Sequence, residues 1–283
     1  MRPSALADLE PKNGRSRPPI VRYFASVAEI IEQAEALQAK HGLSLYADNW
    51  ALGNDWTTLE ATRAGLLAGE APASVLRAYE TIRSRQGSDP LTANGTGPTR
   101  RRRRVWHEEG DEVDPARMLA GSPTPWTRTI IGCTAPTVRL AVNIALSGSN
   151  TPEKFAETIA HAVSIADAIT LAGYSVEIVG VCATVNNMNA GSATVYLWPM
   201  KRSDEPLDQP RLLSAGAPGL LRAYLLPFCH LDNASTTGGK CYLPKELPAL
   251  IGTPHIIARH WEGGKEIDAQ EQARRIIEAS ATA

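Results

Sequence analysis

Apolar residues recur at helical spacing three times in the first third of the chain. Val27, Ile30, Ile31, Ala34 and Leu37 follow the capping box Ser26-Val-Ala-Glu29 and stop at Gly42, which predicts an amphipathic helix. A second helix is predicted from Thr57, where Glu60 completes another Thr-x-x-Glu box, with Leu59, Leu66 and Leu67 on its apolar side. Pro72 suits the first turn of a third, whose inward face is Val75, Leu76, Tyr79 and Ile82. Residues 23–86 therefore read as a small helical unit. Residues 1–22 carry four prolines and no hydrophobic period, and read as a flexible arm.

From Thr127 the pattern switches to strands and helices in alternation. Thr129-Ile-Ile and Val138–Leu146 are β-branched, apolar runs, and the second is continuous enough for a strand buried on both faces. Thr151-Pro152-Glu153 supplies an N-cap, a proline at the first helical position and an acid in the first turn. The helix continues through Phe155, Ile159, Ala162, Val163, Ala166 and Ile169 to Gly173. A second buried strand, Ser175–Val185, completes a βαβ unit, which implies parallel neighbours in one sheet. The short bridge to Ala193–Met200 makes that third strand antiparallel, and Pro199 suits a strand end or edge. A helical stretch over Pro210–Leu226 is interrupted at Gly216–Gly219, and a strand over Thr253–Trp261 precedes a last helix over Asp268–Ala279. Residues 127–283 thus form an α/β domain, Rossmann-like, with a mostly parallel sheet flanked by helices.

Residues 87–126 read as a linker. Gly, Pro, Ser, Asn and Thr crowd its first part, and then come Arg100, Arg101, Arg102, Arg103 and Arg104, with Trp106 beside them. Glu108, Glu109, Asp111, Glu112 and Asp114 follow at once. The whole chain balances 29 Lys+Arg against 30 Asp+Glu, which excludes a uniformly basic coat protein but not a local patch. Five guanidinium groups can neutralise several phosphates of a nucleic acid, with Trp106 available to stack on a base. Alternatively, the acids fold back and screen the arginines in a solvated hinge.

The four cysteines contain no C-x-x-C pair, which argues against a zinc module and a secreted disulfide scaffold. Cys229, His230 and Asp232, with Cys241 nearby, are the compact set for a Cys/His-dependent enzyme, though neighbouring side chains seldom face each other. Small buried hydrophobes is the simpler role for the cysteines. His255 and His260 fall on opposite faces of a strand, and Ser235–Lys240 lacks the spacing of a phosphate loop. Trp50 and Trp56 flank Gly53; they either anchor a partner at the surface or fill the helical core, and the core is the preferred reading. No run of about 18 apolar residues occurs and the N-terminus lacks the apolar stretch of a signal peptide, so no membrane association and a cytoplasmic location are expected.

Over residues 137–261 the order of elements resembles the front half of a von Willebrand factor A domain: a buried strand ending in Ser147-Gly-Ser149, a long helix, a second strand and an antiparallel edge strand. In that family the first strand ends in Asp-x-Ser-x-Ser, whose oxygens hold a divalent cation such as Mg²⁺. Here Asn143, Ala145 and Ser147 take those positions, or the hydroxyl pair shifts to Ser147 and Ser149; either way the acid is missing. The resemblance thus implies a degenerate metal site at Ser147 and Ser149, or serines that merely complete the turn. It also implies partners that are subunits of an assembly or a ring-forming ATPase. Trp50 or Trp56 with Gly53, and Leu119-Ala-Gly121-Ser-Pro123, are similar to segments of a group of phage-encoded proteins, which implies a phage or prophage origin and the host cytoplasm. The expectation is a non-enzymatic binding or scaffold protein that engages another protein through Asn143, Ser147, Ser149, Asn150, Thr184 and Asn186, at the carboxyl ends of the parallel strands.

Overall fold

The computed structural model describes residues 20–42, 56, 58–85, 100–107, 112–133, 137–145, 152–185, 193–231, 247–253, 255–257, 261–262, 265–266 and 268–281. Strand β1, Ile20–Tyr23, leads into helix α1, Val27–His41. The Ser26 hydroxyl accepts from the Glu29 amide at 3.2 Å, and the Glu29 carboxylate reaches back to the Ala25 amide, so the predicted cap forms. Gly42, at φ +63°, closes α1 in the left-handed region. Helix α2, Leu59–Ala68, is capped by Thr58, one residue beyond the expected Thr57, and α3 spans Ala73–Arg85. Then follow β2 (Arg100–His107), β3 (Glu112–Val113), α4 (Pro115–Leu119) and β4 (Trp126–Cys133). The α/β part comprises β5 (Thr137–Asn143), α5 (Pro152–Leu171), β6 (Ser175–Val185), β7 (Ala193–Lys201), α6 (Gln209–Ala215), a π-helix (Leu220–Leu225) and α7 (Leu226–Leu231). The last elements are α8 (Leu247–Ile251), β8 (Ile256–Ile257), the pair β9 (Trp261–Glu262) and β10 (Lys265–Glu266), and α9 (Ala269–Ala281).

Five strands form a mostly parallel, Rossmann-like sheet in the order β1-β7-β6-β5-β8. β5 is parallel to β6 and to β8, and β7 is antiparallel to β6, as its short connection requires. Two expectations need correction. β7 is not an edge, because β1 pairs with it in parallel from Ile20↔Thr194 to Tyr23↔Leu197; residues 20–22 of the expected arm therefore belong to the sheet. Pro199 sits beyond β1's last pair, at an irregularity where Ile178 opposes Lys201 and Val179 opposes Pro199, which is how a strand with neighbours on both sides accepts a residue without an N–H.

The helical unit over 23–86 is likewise not separate. Helix α5 is buried on most of its circumference: Ile159, Ala160, Ala162, Val163, Ile165, Ala166 and Ile169 are all buried, and so are the polar Thr158, His161 and Ser164. Such a helix needs cover on several sides. The sheet residues Val138, Leu140, Val142, Val176 and Ile178 share its core cluster, α3 and α9 pack along it, and α1 packs on the π-helix and α7. Ile30, Ile31, Val75 and Tyr79 therefore belong to the same core as the strands. Burial and the neighbouring Asp167 carboxylate push the Tyr79 phenol up to about 12. The stretch Gln209–Cys229 is long and apolar enough to cross a membrane, yet all of that window is buried inside the molecule.

The opposite face of the sheet carries a smaller cluster, Ala141, Val179, Val181, Ala183, Val195 and Leu197, against Leu247 and Ile251 of α8. At its margin Arg139 pairs with Glu177 at 2.8 Å and donates to the Ile251 carbonyl at 3.2 Å, tying α8 to the sheet. The second sheet, in the order β2-β4-β3, is antiparallel throughout.

Candidate functional site

At the carboxyl end of β5, Asn143 is fully buried. Its Oδ1 accepts from the Ala145 amide at 3.1 Å and from the Ala183 amide at 3.4 Å, while the Ile144 amide donates to the Val181 carbonyl. The side chain is a clasp between β5 and β6, and with its oxygen turned to two amides it does not fit as a ligand for Mg²⁺. Thr184 lies in β6 at the register of Thr194. Ser147, Ser149, Asn150 and Asn186 lie outside the described residues. Cys229 is buried and not in a disulfide, as is Cys182; Asp232, Cys241, His260 and the Ser235–Lys240 loop lie outside the described residues, as do Trp50 and Gly53. His255 is half-buried with its ring nitrogen 3.2 Å from the Ser280 hydroxyl, and burial lowers its pKa.

The expected linker over 87–126 contains an ordered sheet instead. Arg100 to Arg104 make up most of β2, paired from Arg100↔Cys133 to His107↔Trp126. Alternation puts Arg100, Arg102, Arg104 and Trp106 at register positions of one face, and Arg101 and Arg103 on the other with Arg128 and Trp126. β2 borders β4 on one side and is an edge of this sheet, whereas Glu112 sits in β3 on the far edge. The Asp114 carboxylate caps α4, accepting from the Ala116 and Arg117 amides. The Arg117 guanidinium carbon lies 3.9 Å from the Trp106 ring centroid, and that ring remains 44% exposed. Met118 and Leu119 beside it are exposed as well, Leu119 at 89%.

A third locus was not visible in the sequence. β1 and β7 run in parallel, and at their carboxyl ends the turn Phe24–Ser26 enters α1. This strand-turn-helix corner, with α2 and α6, encloses a cleft of about 670 Å³. Lys201, the last residue of β7, is among the lining residues and is 5% exposed; its Nζ donates to the Val176 carbonyl at 2.6 Å and the Arg202 carbonyl at 3.0 Å. Burial lowers its pKa, opposed in part by Glu205, Asp204 and Glu177. Arg202, Arg211, Glu205 and Asp208 line the walls.

A family model described as a domain of unknown function, DUF7192, matches residues 13–245. The chain belongs to the DUF7192 family. No curated protein and no solved structure matches it. The DUF7192 match covers β1, the arginine strand, the Asn143 clasp and the Lys201 cleft, and stops short of α8, β8 and α9. Within this DUF7192 chain the one local signal for the cleft was a lone lysine closing the apolar run Ala193–Met200. Its partner strand β1 has four residues and no signature of its own, so nothing in the sequence joined the two.

Proposed function

We propose that this protein is a non-enzymatic binding or scaffold protein that engages another protein at the carboxyl ends of β5 and β6. The observation that carries the reading is the strand order. β5 has β6 on one side and β8 on the other, both parallel to it, so the order of the chain reverses across β5. Ligands of open α/β sheets gather in the crevice outside such a reversal. The βαβ unit followed by a reversed β7 is also the succession on which the likeness to von Willebrand factor A domains rests, and with it goes a partner that is a subunit of an assembly or a ring ATPase. The phage or prophage origin implied by the sequence belongs to the same reading, together with the host cytoplasm. A photo-crosslinker at Ser149 is expected to trap a defined partner from native lysate, while one at Leu171, at the amino end of β6, traps nothing. Equal trapping from both positions counts against the reading.

A second reading, nucleic-acid binding through Arg100–Arg104, is favoured by one observation: the arginines stand in an edge strand, with β4 between them and Glu112. Replacing all five with threonine, which suits a strand, is expected to lower the slope of log affinity against log salt by about 3–4 and to weaken single-strand binding at low salt by at least ~100-fold. An unchanged slope dismisses this reading.

A further inference from the structure

We infer that strand β2 pairs antiparallel with the β2 of a second copy of this chain, about a two-fold axis at Trp106, so that two three-stranded sheets join into one of six strands. The edge belongs to the second sheet and not to β5 and β6, so this assignment and the crevice proposed for a protein partner can fail separately. It gives the arginines of the nucleic-acid reading a different use, and nuclease treatment separates the two.

Three features of β2 lead to a copy of itself. The first is an open edge. β2 spans Arg100–His107, and among the described strands only β4 pairs with it, so its other side offers a row of backbone N–H and C=O groups to an added strand. The second is the order of charge. Between residues 100 and 128 the chain carries Arg100–Arg104, Arg117 and Arg128 against Glu108, Glu109, Asp111, Glu112 and Asp114. Glu112 stands in β3 on the far edge, Arg128 in the central β4, Asp114 caps α4, and Arg117 lies over Trp106. Read along β2 and onward, the sequence is then five positive charges, Val105-Trp106-His107, and Glu108-Glu109. A strand of one sign repels its copy in every register, whereas one that is positive first and negative afterwards attracts its copy when the two run antiparallel. A two-fold interface demands such self-complementarity. With the axis at Trp106, Val105 stands opposite His107, and counting on at the same register sets Arg104 and Arg103 against Glu108 and Glu109 of the copy. The third feature is apolar surface at the axis. The Trp106 ring is held by Arg117 yet remains exposed, and Met118 and Leu119, next in the chain, are exposed too. An aromatic residue at the centre of an interface is where binding energy concentrates, and on the axis Trp106 meets its own copy.

The same features set the register and stop the assembly at two. An axis inside Arg100–Arg104 opposes arginine to arginine, and moving it to Trp106 replaces those pairs by arginine against glutamate. A slip of the copy by one residue from this register puts opposed side chains on different faces, so only alternate registers remain. β3, at the other edge of the sheet, has only the residues Glu112 and Val113, too few to template a further strand, so pairing closes as a dimer.

The test uses the full chain after nuclease treatment, followed by sedimentation velocity. The native protein is expected to dimerise, more weakly as salt rises. Arg103→Glu with Arg104→Glu, and separately Glu108→Arg with Glu109→Arg, are each expected to weaken self-association at least about tenfold, since like charges then stand opposite each other. An equimolar mixture of the two double variants is expected to form a heterodimer, and that recovery also shows that both fold. Disulfide trapping reads the register: Trp106→Cys is expected to cross-link two chains under mild oxidation, while Arg102→Cys, about 27 Å along the strands from its copy, does not. The inference is overturned if the nuclease-treated chain is monomeric at high micromolar concentration, if either double variant dimerises like the native protein, if mixing the folded variants recovers nothing, or if Arg102→Cys cross-links as readily as Trp106→Cys. Association that vanishes with nuclease assigns the arginines to nucleic acid and overturns it as well.

Discussion

Replacing Gly180 with alanine is expected to destabilise the protein by about 3 kcal/mol, lowering the melting temperature by roughly 5–10 °C. Propensity alone predicts the opposite sign, since a glycine inside a strand forfeits side-chain packing and carries excess entropy in the unfolded chain. The close approach of Trp198 decides the outcome. A Cβ on Gly180 would stand 2.1 Å from Trp198 Cε2 and 2.4 Å from Cζ2, because the indole of β7 lies flat on the backbone of β6 at the pair Gly180↔Trp198. The ring is 1% exposed within the core on the α5 side of the sheet, so it has nowhere to retreat. Chemical denaturation measures the loss. Trp198→Leu is expected to cost about 3 kcal/mol through the cavity it leaves. The double variant should fall short of the sum by at least 1 kcal/mol, since the smaller side chain admits the new methyl. Additivity in that cycle would show that the two residues do not meet.

Trp56→Ala is expected to cost about 3–5 kcal/mol, as a large aromatic lost from a packed site does. Trp56 is 9% exposed and wedged between two glycines. A Cβ on Gly65 of α2 would come within 2.6 Å of its Cζ2, and one on Gly219, just before the π-helix, within 3.0 Å of its Cε3. The indole therefore spaces α2 from the π-helix. The nearby Arg63–Glu35 pair, at 2.8 Å on the surface, is worth too little to hold α2 in its absence. Hydrogen exchange should show α2 opening well before α5, and denaturation the global loss. A surface anchor would behave differently: its removal would leave stability within ±0.5 kcal/mol. Of the two uses the sequence allowed for this tryptophan, the structure places it in the core.

Much of the fold was legible because it is written locally. The Ser26 and Glu29 cap, the Gly42 stop and the proline at the start of α5 are chemical statements about a few neighbouring residues. The βαβ unit and the reversed β7 followed from period and connection length, and both formed where expected. The arginine run was misread because charge of one sign argues against a strand, and Arg has no marked preference for one. Its conformation comes from β4, whose Thr127, Thr129, Ile130 and Ile131 suit a strand and offer a paired edge. The candidate sites were less legible still. Asn143 stood out as a substitute for an acid, yet its role as a clasp depends on Ala183 in another strand.

What the sequence by itself determined is the capped helices, the βαβ unit with its reversed β7 and the alternation that makes an α/β sheet, since capping, turn chemistry and hydrophobic period act within a few residues. Only the tertiary structure decided that the first three helices share a core with the sheet, that Ile20–Tyr23 adds a fifth strand beside β7, and that Lys201 ends up buried at the corner this creates. Those outcomes rest on pairing and burial between segments far apart in the chain. Their favourable free energy appears only once both partners are present, so neither partner alone records it.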